Sequence, residues 1–413
     1  MTLEKVLPGN PSSPKKALSD LVVLDLTHYV AGPYCTKLLA DYGAEVIKVE
    51  RPGIGDGARR IGPFPNDLPD PERSGLFLHL NTNKMGITLN LKAALGKMIL
   101  LKLIMRADIL VENFEPRVMP SLGFAYDELE KLNPRLVMTS VSNFGQTGPY
   151  RDYRASEITA FAMTGRMYRV GLEKREPVRY AEHMLQYFAG AAAASATMCA
   201  VIGAKLRGSG QHVDVSLIES LMGSVDSRLL RFPYTHRPPR REGAGRLGAF
   251  LRGVYPCKDG FIAISGNHER QWARLVQMLG KPELLHDPRF ATTEARLQHA
   301  DEFEAIFLPW LVERTKSEIF RLAQRHRVIV TPVYTTAELL EDPQYRARGF
   351  FVEVEHPVAG RFQYPGAPFR MAESPWQVRR PAPLLGQDNE EIYCRQLGYS
   401  REDLVRLRQL GVI

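Results

Sequence analysis

PVRYAEHMLQYFAGAAAASATMCAVIGAKLRGSGQ, residues 177–211, contains the central element of this protein. The sixteen residues from Ala189 to Ala204 have no charge and no proline, and half of them are alanine. Alanine has the highest helix propensity and allows backbones to pack closely. The stretch therefore predicts a buried helix that begins near Gln186 and ends at Gly208. The N-terminal end of such a helix favours an anionic group, because its N–H groups are unpaired there.

The composition excludes several classes of protein. The uncharged run is shorter than the roughly 18–20 residues of a membrane span, so we expect no membrane segment. The net charge of +8 is dispersed along the chain, which argues against a nucleic-acid partner. The four cysteines lack metal-ligand spacing, so we expect neither a metal site nor disulfides, and a cytoplasmic location. The N-terminus has no apolar signal-peptide region.

The first fifty residues predict the start of an α/β fold. An apolar strand at 21–26, a helix at 34–41 and a second strand at 44–50 form a βαβ unit, as in a doubly wound, Rossmann-like sheet. Further strands are predicted at 76–80, 86–91, 109–112, 136–141 and 211–217. Several of them end in polar loops rich in glycine and asparagine. In a parallel sheet these loops share one edge, where they would form a ligand groove.

The remainder of the chain indicates a second, smaller unit. Residues 231–248 are rich in proline, glycine and arginine and predict a connector. A hairpin at 251–265 and helices near 269–279, 301–313 and 316–325 predict a small α+β domain. We expect turns and short strands over 335–383 and helix again over 388–410. The predicted domains are therefore 1–230, 231–330 and 331–413.

The loop Thr27–Pro33 follows the first strand and has only one glycine, which disfavours an ordinary dinucleotide site. His28 in this loop could be a base or a ligand contact, or simply a hydrogen-bonded turn residue. Arg59 and Arg60 could add positive charge to the groove or form a solvated pair.

Several segments, taken in order, resemble the family III CoA-transferases, which include formyl-CoA transferase, carnitine CoA-transferase and acyl-CoA racemase relatives. The segments run from about residue 20 to 410 and include LADYGAEVIKVE (39–50), ADILVENF (107–114), FGQTGPY (144–150), DPRF (287–290) and PLLG (383–386).

The resemblance implies a large Rossmann-like domain, a small domain and a C-terminal segment that returns to the large one. It also implies a dimer of two interlocked rings. CoA and acyl-CoA would be substrates, with no permanently bound cofactor. Carried over position by position, the CoA-binding residues would be Val30, Ala31, Arg51, Lys84, Asn113 and Arg154. Arginine and lysine suit the phosphates of CoA.

One departure from the family pattern concerns the nucleophile. The family uses an aspartate at the start of the central helix, which attacks the thioester and forms a mixed anhydride. Here Pro177-Val-Arg179, Gly190 and Gly208–Gln211 match the pattern without a gap, but Gln186 stands in the aspartate position. An amide cannot form the anhydride, so the family mechanism leaves this chain without a catalytic residue of its own.

Two acids lie near that position in the sequence, Glu182 and Glu157. The racemases have a histidine where this chain has Ser156, so both racemase bases are missing here. We expect a subunit of a heteromeric CoA-transferase whose homologous sister subunit carries the aspartate. It resembles the nucleophile-lacking subunit of the succinyl-CoA-dependent enzyme that activates benzylsuccinate in anaerobic toluene breakdown. The alternatives are a homodimeric transferase that uses Glu182 or Glu157, and a CoA-thioester-binding protein without catalysis.

Overall fold

The structure, a computed structural model, describes residues 16–172, 174–225, 227–237, 250–265 and 269–413. Within these residues the chain forms two compact units. The first comprises Met1–Thr164, Tyr180–Asp226 and Gly349–Ile413, and the second Gly165–Arg179 and Ser227–Arg348. The three-part division at residues 230 and 330 stays a prediction.

A parallel six-stranded sheet forms the centre of the first unit, which confirms the predicted α/β class. The strand order is β3-β2-β1-β4-β5-β6, the order of the doubly wound fold. All neighbouring strands are parallel and most strand residues are buried. The strands are β1 (Val22–Asp25), β2 (Glu45–Glu50), β3 (Met85–Thr88), β4 (Ile109–Glu112), β5 (Val137–Ser142) and β6 (Gln211–Ser216).

The helices of this unit include two that the sequence did not predict correctly. Residues 76–80 were expected as a strand but belong to a helix, because the Ser74 hydroxyl accepts a hydrogen bond from Phe77 N and caps it. A predicted helix at 34–41 begins three residues earlier, at Ala31. The helices are α1 (Ala31–Asp41), α2 (Gly75–Leu80), α3 (Ala94–Ile104), α4 (Val118–Leu122), α5 (Tyr126–Leu132), α6 (Glu157–Met163), α7 (Met184–Arg207) and α8 (Leu217–Val225).

Helix α7 is the predicted central helix, and it ends at Gly208 in the left-handed conformation. Within the described part of the chain, α7 is the one helix that is long enough and apolar enough to cross a membrane. Buried core helices of other proteins also meet these criteria. The packing of α7 is that of a core helix. A Cβ added at Gly190 would lie 2.5 Å from the carbonyl oxygen of Ala31, so only glycine permits this approach to α1.

The second unit surrounds a core of aromatic side chains. Trp272, Phe290, Phe303 and Phe307 are buried in contact with one another. The elements are α9 (Ser227–Thr235), β7 (Arg252–Cys257), β8 (Gly260–Ser265), α10 (Glu269–Met278), α11 (Thr293–Gln298), α12 (Ala300–Val312), α13 (Lys316–His326), β9 (Val330–Pro332), α14 (Thr336–Glu341) and α15 (Pro343–Ala347). The strands form an antiparallel sheet in the order β7-β8-β9.

Two further predictions require correction. The connector expected over 231–248 begins inside α9, and its residues 238–248 lie outside the described part of the chain. The stretch 335–383 contains the helices α14 and α15 as well as strands. It continues in the first unit with the antiparallel hairpin β10 (Phe351–His356) and β11 (Gly360–Pro365). A π-helical segment (Glu390–Gln396) and α16 (Arg401–Gln409) then pack on the main sheet.

Candidate active site

A cavity of about 260 Å³ lies at the carboxyl edge of the parallel sheet. It is lined by the loops that follow β1, β4 and β5, and by the first residues of α6, α7 and α8. β1 and β4 are the neighbours at which the strand order reverses, the usual ligand-binding crevice of doubly wound sheets. Three of the polar loops that were predicted to share one edge of the sheet therefore meet at this cavity.

Two of the lining loops are joined by reciprocal hydrogen bonds. The backbone N–H of His28 donates to Asn113 Oδ1, and Asn113 Nδ2 donates to the carbonyl oxygen of His28, each at 2.8 Å. The next residue, Tyr29, has a positive φ of 66° and donates its N–H to Asp56 Oδ1. These bonds hold the predicted contacts Val30 and Ala31 at the cavity wall beside Asn113.

His28 itself lies outside the cavity lining. Its ring packs near Phe114, and Nδ1 is 3.7 Å from Asp56 Oδ1. Of the two interpretations open from the sequence, this position favours a turn residue that supports the loop.

Buried ion pairs lie among the elements that carry these loops. Lys84 Nζ donates to the Asp25 carboxylate at 2.9 Å, and Lys48 Nζ lies 2.9 Å from Asp56 Oδ2. Burial alone would raise the pKa of Asp25, but Lys48 and Lys84 hold it well below its ordinary value. Burial lowers the pKa of Lys84 to about 8, and the attraction of Asp25 limits that fall.

The N-terminal end of α7 already has an anion beside it. The Glu157 carboxylate, at the start of α6, accepts a hydrogen bond from Leu185 N through Oε1 at 2.8 Å. Gln186 occupies the same first turn and lines the cavity. The anionic group that the helix dipole favours is thus supplied, in this structure, by the protein itself. The second oxygen of Glu157 is buried and has no hydrogen-bond partner among the described residues.

The cavity brings together only part of the set of residues predicted from the sequence. Val30, Ala31, Asn113, Glu157 and Gln186 line it. The others lie outside the lining: Arg51 and Glu182 are exposed, Arg154 is exposed with Nε 3.8 Å from Glu115 Oε1, and Lys84 is fully buried with its ammonium bonded to four protein oxygens.

Most of the other lining residues were not named as candidates from the sequence, and four of them carry polar groups of interest. Tyr29, Ser142, Tyr153 and His183 all contact the cavity. His183 precedes α7 with a positive φ of 61°, and its Nδ1 is buried without a partner among the described residues. Nothing in the sequence signals that backbone conformation. Ser142 did have a signal, because it is the first polar residue after the predicted strand.

Other features of the site concern charge. Arg59 is buried and bonds Glu50 and Glu72, whereas Arg60 is exposed and bonds the carbonyl oxygen of Ile54, so neither faces the cavity. Within the described ranges, no group of three or more His, Cys, Asp or Glu side chains could hold a metal ion.

Comparisons with known proteins agree on one family. A family model described as CoA-transferase family III matches residues 18–389. The chain is 34% identical to the succinyl-CoA–D-citramalate CoA-transferase of Chloroflexus aurantiacus, over 97% of this chain and 99% of the relative. It is also 34% identical to the formyl-CoA:oxalate CoA-transferase of Streptomyces coelicolor, over 96% of this chain and 99% of the relative. A solved CaiB/BaiF family protein from Brucella suis has a TM-score of 0.83 at 26% identity, covering 92% of this chain and 99% of that one.

Proposed function

Because this chain belongs to CoA-transferase family III, as its sequence motifs predict, we propose that it is the non-nucleophilic subunit of a heteromeric CoA-transferase. The enzyme moves CoA from an acyl-CoA donor, such as succinyl-CoA, to a carboxylic acid. One observation carries the proposal: Gln186 lines the cavity in the first turn of α7, where the resemblance implies the nucleophilic aspartate. A neutral amide cannot supply the oxygen of a mixed anhydride.

In this proposal the chemistry takes place on an aspartate of the sister subunit. Its carboxylate oxygen attacks the thioester carbonyl carbon, the C–S bond breaks, and CoA leaves as the thiolate. The thiolate then attacks the aspartyl carbonyl of the anhydride and releases the donor acid as its carboxylate. The acceptor acid next attacks the aspartyl thioester, and the returning thiolate attacks the acceptor's acyl carbon in the new anhydride. The aspartate is restored and no net proton is consumed.

We propose that this chain and its sister form the interlocked pair implied by the family resemblance. Support comes from one side of α7, where Phe188, Cys199, Ile202 and Leu206 are exposed at spacings of three to four residues and multiples of them. Leu206 is 80% exposed, which is unusual for an apolar helix in the middle of a unit. Obligate partners usually bury more than roughly 2,000 Å². Light scattering on this chain co-purified with its sister should therefore give a dimer and no monomer at micromolar concentration.

For CoA itself, we propose contacts with Val30, Ala31 and Asn113, which support the proposal by lining the cavity. Arg51 and Arg154 are exposed, so their guanidinium groups can bind the phosphates of CoA. We assign Lys84 a structural part instead, because its ammonium already neutralises Asp25. The cytoplasmic location stays a prediction.

The test compares Gln186→Asp with Gln186→Asn in the purified chain. The aspartate variant should gain acyl transfer and give a hydroxamate at position 186 when incubated with acyl-CoA and hydroxylamine. The wild type and the asparagine variant both have a neutral amide at position 186, so they should give neither acyl transfer nor a hydroxamate. Co-expression with a paralogue that has aspartate at the matching position should restore transfer to the wild-type chain. Turnover by the wild-type chain alone would refute the proposal.

A second candidate function is a transferase that uses Glu157 as its own nucleophile. Glu157 lines the cavity, and its Oε2 has no hydrogen-bond partner among the described residues. These two observations favour it over Glu182, which is exposed and outside the lining. A hydroxamate on Glu157 in the same experiment would identify this mechanism. If acyl-CoA binds but no residue of either subunit is modified, the chain is a thioester-binding protein without catalysis.

A further inference from the structure

Two serines end the neighbouring strands β5 and β6 at the carboxyl edge of the sheet. Ser142 and Ser216 are directly paired in the strand register, so their side chains point to the same face. Both residues are more than nine-tenths buried, with exposures of 7% and 5%. Ser142 lines the cavity, and Ser216 is followed at once by Leu217, which also lines it.

Neither serine hydroxyl has a hydrogen-bond partner among the residues that the structure describes. An unpartnered buried hydroxyl destabilises a fold, and buried polar groups in native proteins are nearly always bonded. The contrast with Ser140 is informative, because it lies on the same face of β5 and is 1% exposed. Its Oγ lies within hydrogen-bond distance, 2.9 Å, of His212 Nε2. The two hydroxyls at the cavity therefore differ from a comparable serine farther along the same strand.

The helix end beside Ser216 favours an anion. Ser216 immediately precedes the nine-residue helix α8, whose N-terminal end carries a partial positive charge. Val141 and Leu217 supply apolar lining to the same cavity. Each hydroxyl can donate one hydrogen bond and accept others, and rotation about χ1 turns it without moving the backbone. Two adjacent donors at a helix N-terminus match the two oxygens of a carboxylate.

We propose that Ser142 and Ser216 form a subsite for the free carboxylate of a dicarboxylic acyl group, held as its CoA thioester. This inference rests on the proposed function, since it places the acyl end of the thioester inside the cavity. The inference predicts that the preferred substrates are monothioesters of dicarboxylic acids. Ser142 and Ser216 would then determine this specificity.

The experiment measures binding of CoA, succinyl-CoA and butyryl-CoA to the purified full-length protein by calorimetry. The two thioesters have acyl chains of equal length and differ in the terminal carboxylate. Wild-type protein should bind succinyl-CoA at least about tenfold more tightly, the scale of hydrogen bonds to a charged group. The double variant Ser142→Ala/Ser216→Ala should lose this preference and keep its affinity for CoA and butyryl-CoA.

Ser140→Ala is the matched control, and it should leave the preference for succinyl-CoA intact. Thermal melting provides a second check, because removing unpartnered hydroxyls should not lower the melting temperature of the double variant. Equal affinity of the wild type for both thioesters, or an unchanged preference in the double variant, would overturn the inference alone. Failure of CoA itself to bind would overturn the proposed function and this inference with it.

Discussion

Glu112, at the end of β4, offers a sharp test of the electrostatics near the site. It is 3% exposed, and no cation pairs with it among the described residues. Its Oε2 accepts a hydrogen bond from the backbone N–H of Phe114, which lines the cavity. The pKa of Glu112 is raised to about 7, mainly by burial and also by the nearby Asp214 carboxylate, and hydrogen bonds from Ser140 and Phe114 only partly oppose this rise.

The size of the effect follows from that pKa. The ordinary value is 4.5 and the folded-state value about 7, and each pKa unit corresponds to about 1.4 kcal/mol, so ionisation of Glu112 costs the fold about 3 kcal/mol. The folded-state pKa is higher than the unfolded-state pKa. The protonated Glu112 therefore contributes about 3 kcal/mol of stability that is fully present below pH 4.5 and is lost as the pH rises through 7. Glu112→Gln keeps an oxygen acceptor for Phe114 N but cannot ionise. The variant should therefore match the wild type at low pH and exceed its stability by about 3 kcal/mol above pH 8.

The assay is denaturant unfolding of both proteins at intervals between pH 4.5 and pH 8.5. Glu115→Gln is the control, because it removes an exposed carboxylate from the next loop and leaves the buried one in place. A constant difference between Glu112→Gln and the wild type across the range would refute the assignment of a neutral, buried Glu112.

Two further predictions concern residues that the sequence assigned to CoA. Arg51→Ala should weaken CoA binding about tenfold or more in calorimetry, through loss of a charged hydrogen bond, and unchanged affinity would remove Arg51 from the proposed contacts. Lys84→Met should leave the Asp25 carboxylate buried without its partner and destabilise the protein by about 3–5 kcal/mol in denaturant unfolding; a loss of CoA affinity with unchanged stability would contradict the structural part assigned to it.

The parts of the fold that the sequence predicted were those with a long or repeated pattern. The alanine-rich run is compatible with only one regular secondary structure, a helix, and α7 ends at the expected glycine. β1 and β4 are short apolar runs that end in an acidic residue, and β2 is an apolar run interrupted by Lys48. The run at 76–80 was misassigned because five residues with four apolar side chains suit a strand or a helix equally, and the helix is selected by its cap, Ser74. Helix α14 has an equally clear signal in the sequence, the capping box of Thr335 and Glu338.

The site was predicted less completely, because its residues meet through loops whose conformations the sequence does not encode visibly. Gln186 and Asn113 could be found from motif position, and both line the cavity. The burial of Lys84 could not, since a lysine after a polar turn is ordinarily expected at the surface. The capping of α7 by Glu157 depends on two segments that meet only in the folded chain.

The buried ion pairs constrain how this protein can change over evolutionary time. Asp25 with Lys84, Lys48 with Asp56, and Glu50 with Arg59 are three oppositely charged pairs, with every side chain at most 1% exposed. Loss of either member strands its partner's charge away from water, whereas replacing both together by apolar residues of similar volume is tolerated far better. The two members of a pair must therefore be substituted together during evolution. A library of single substitutions would wrongly indicate that these positions tolerate no change.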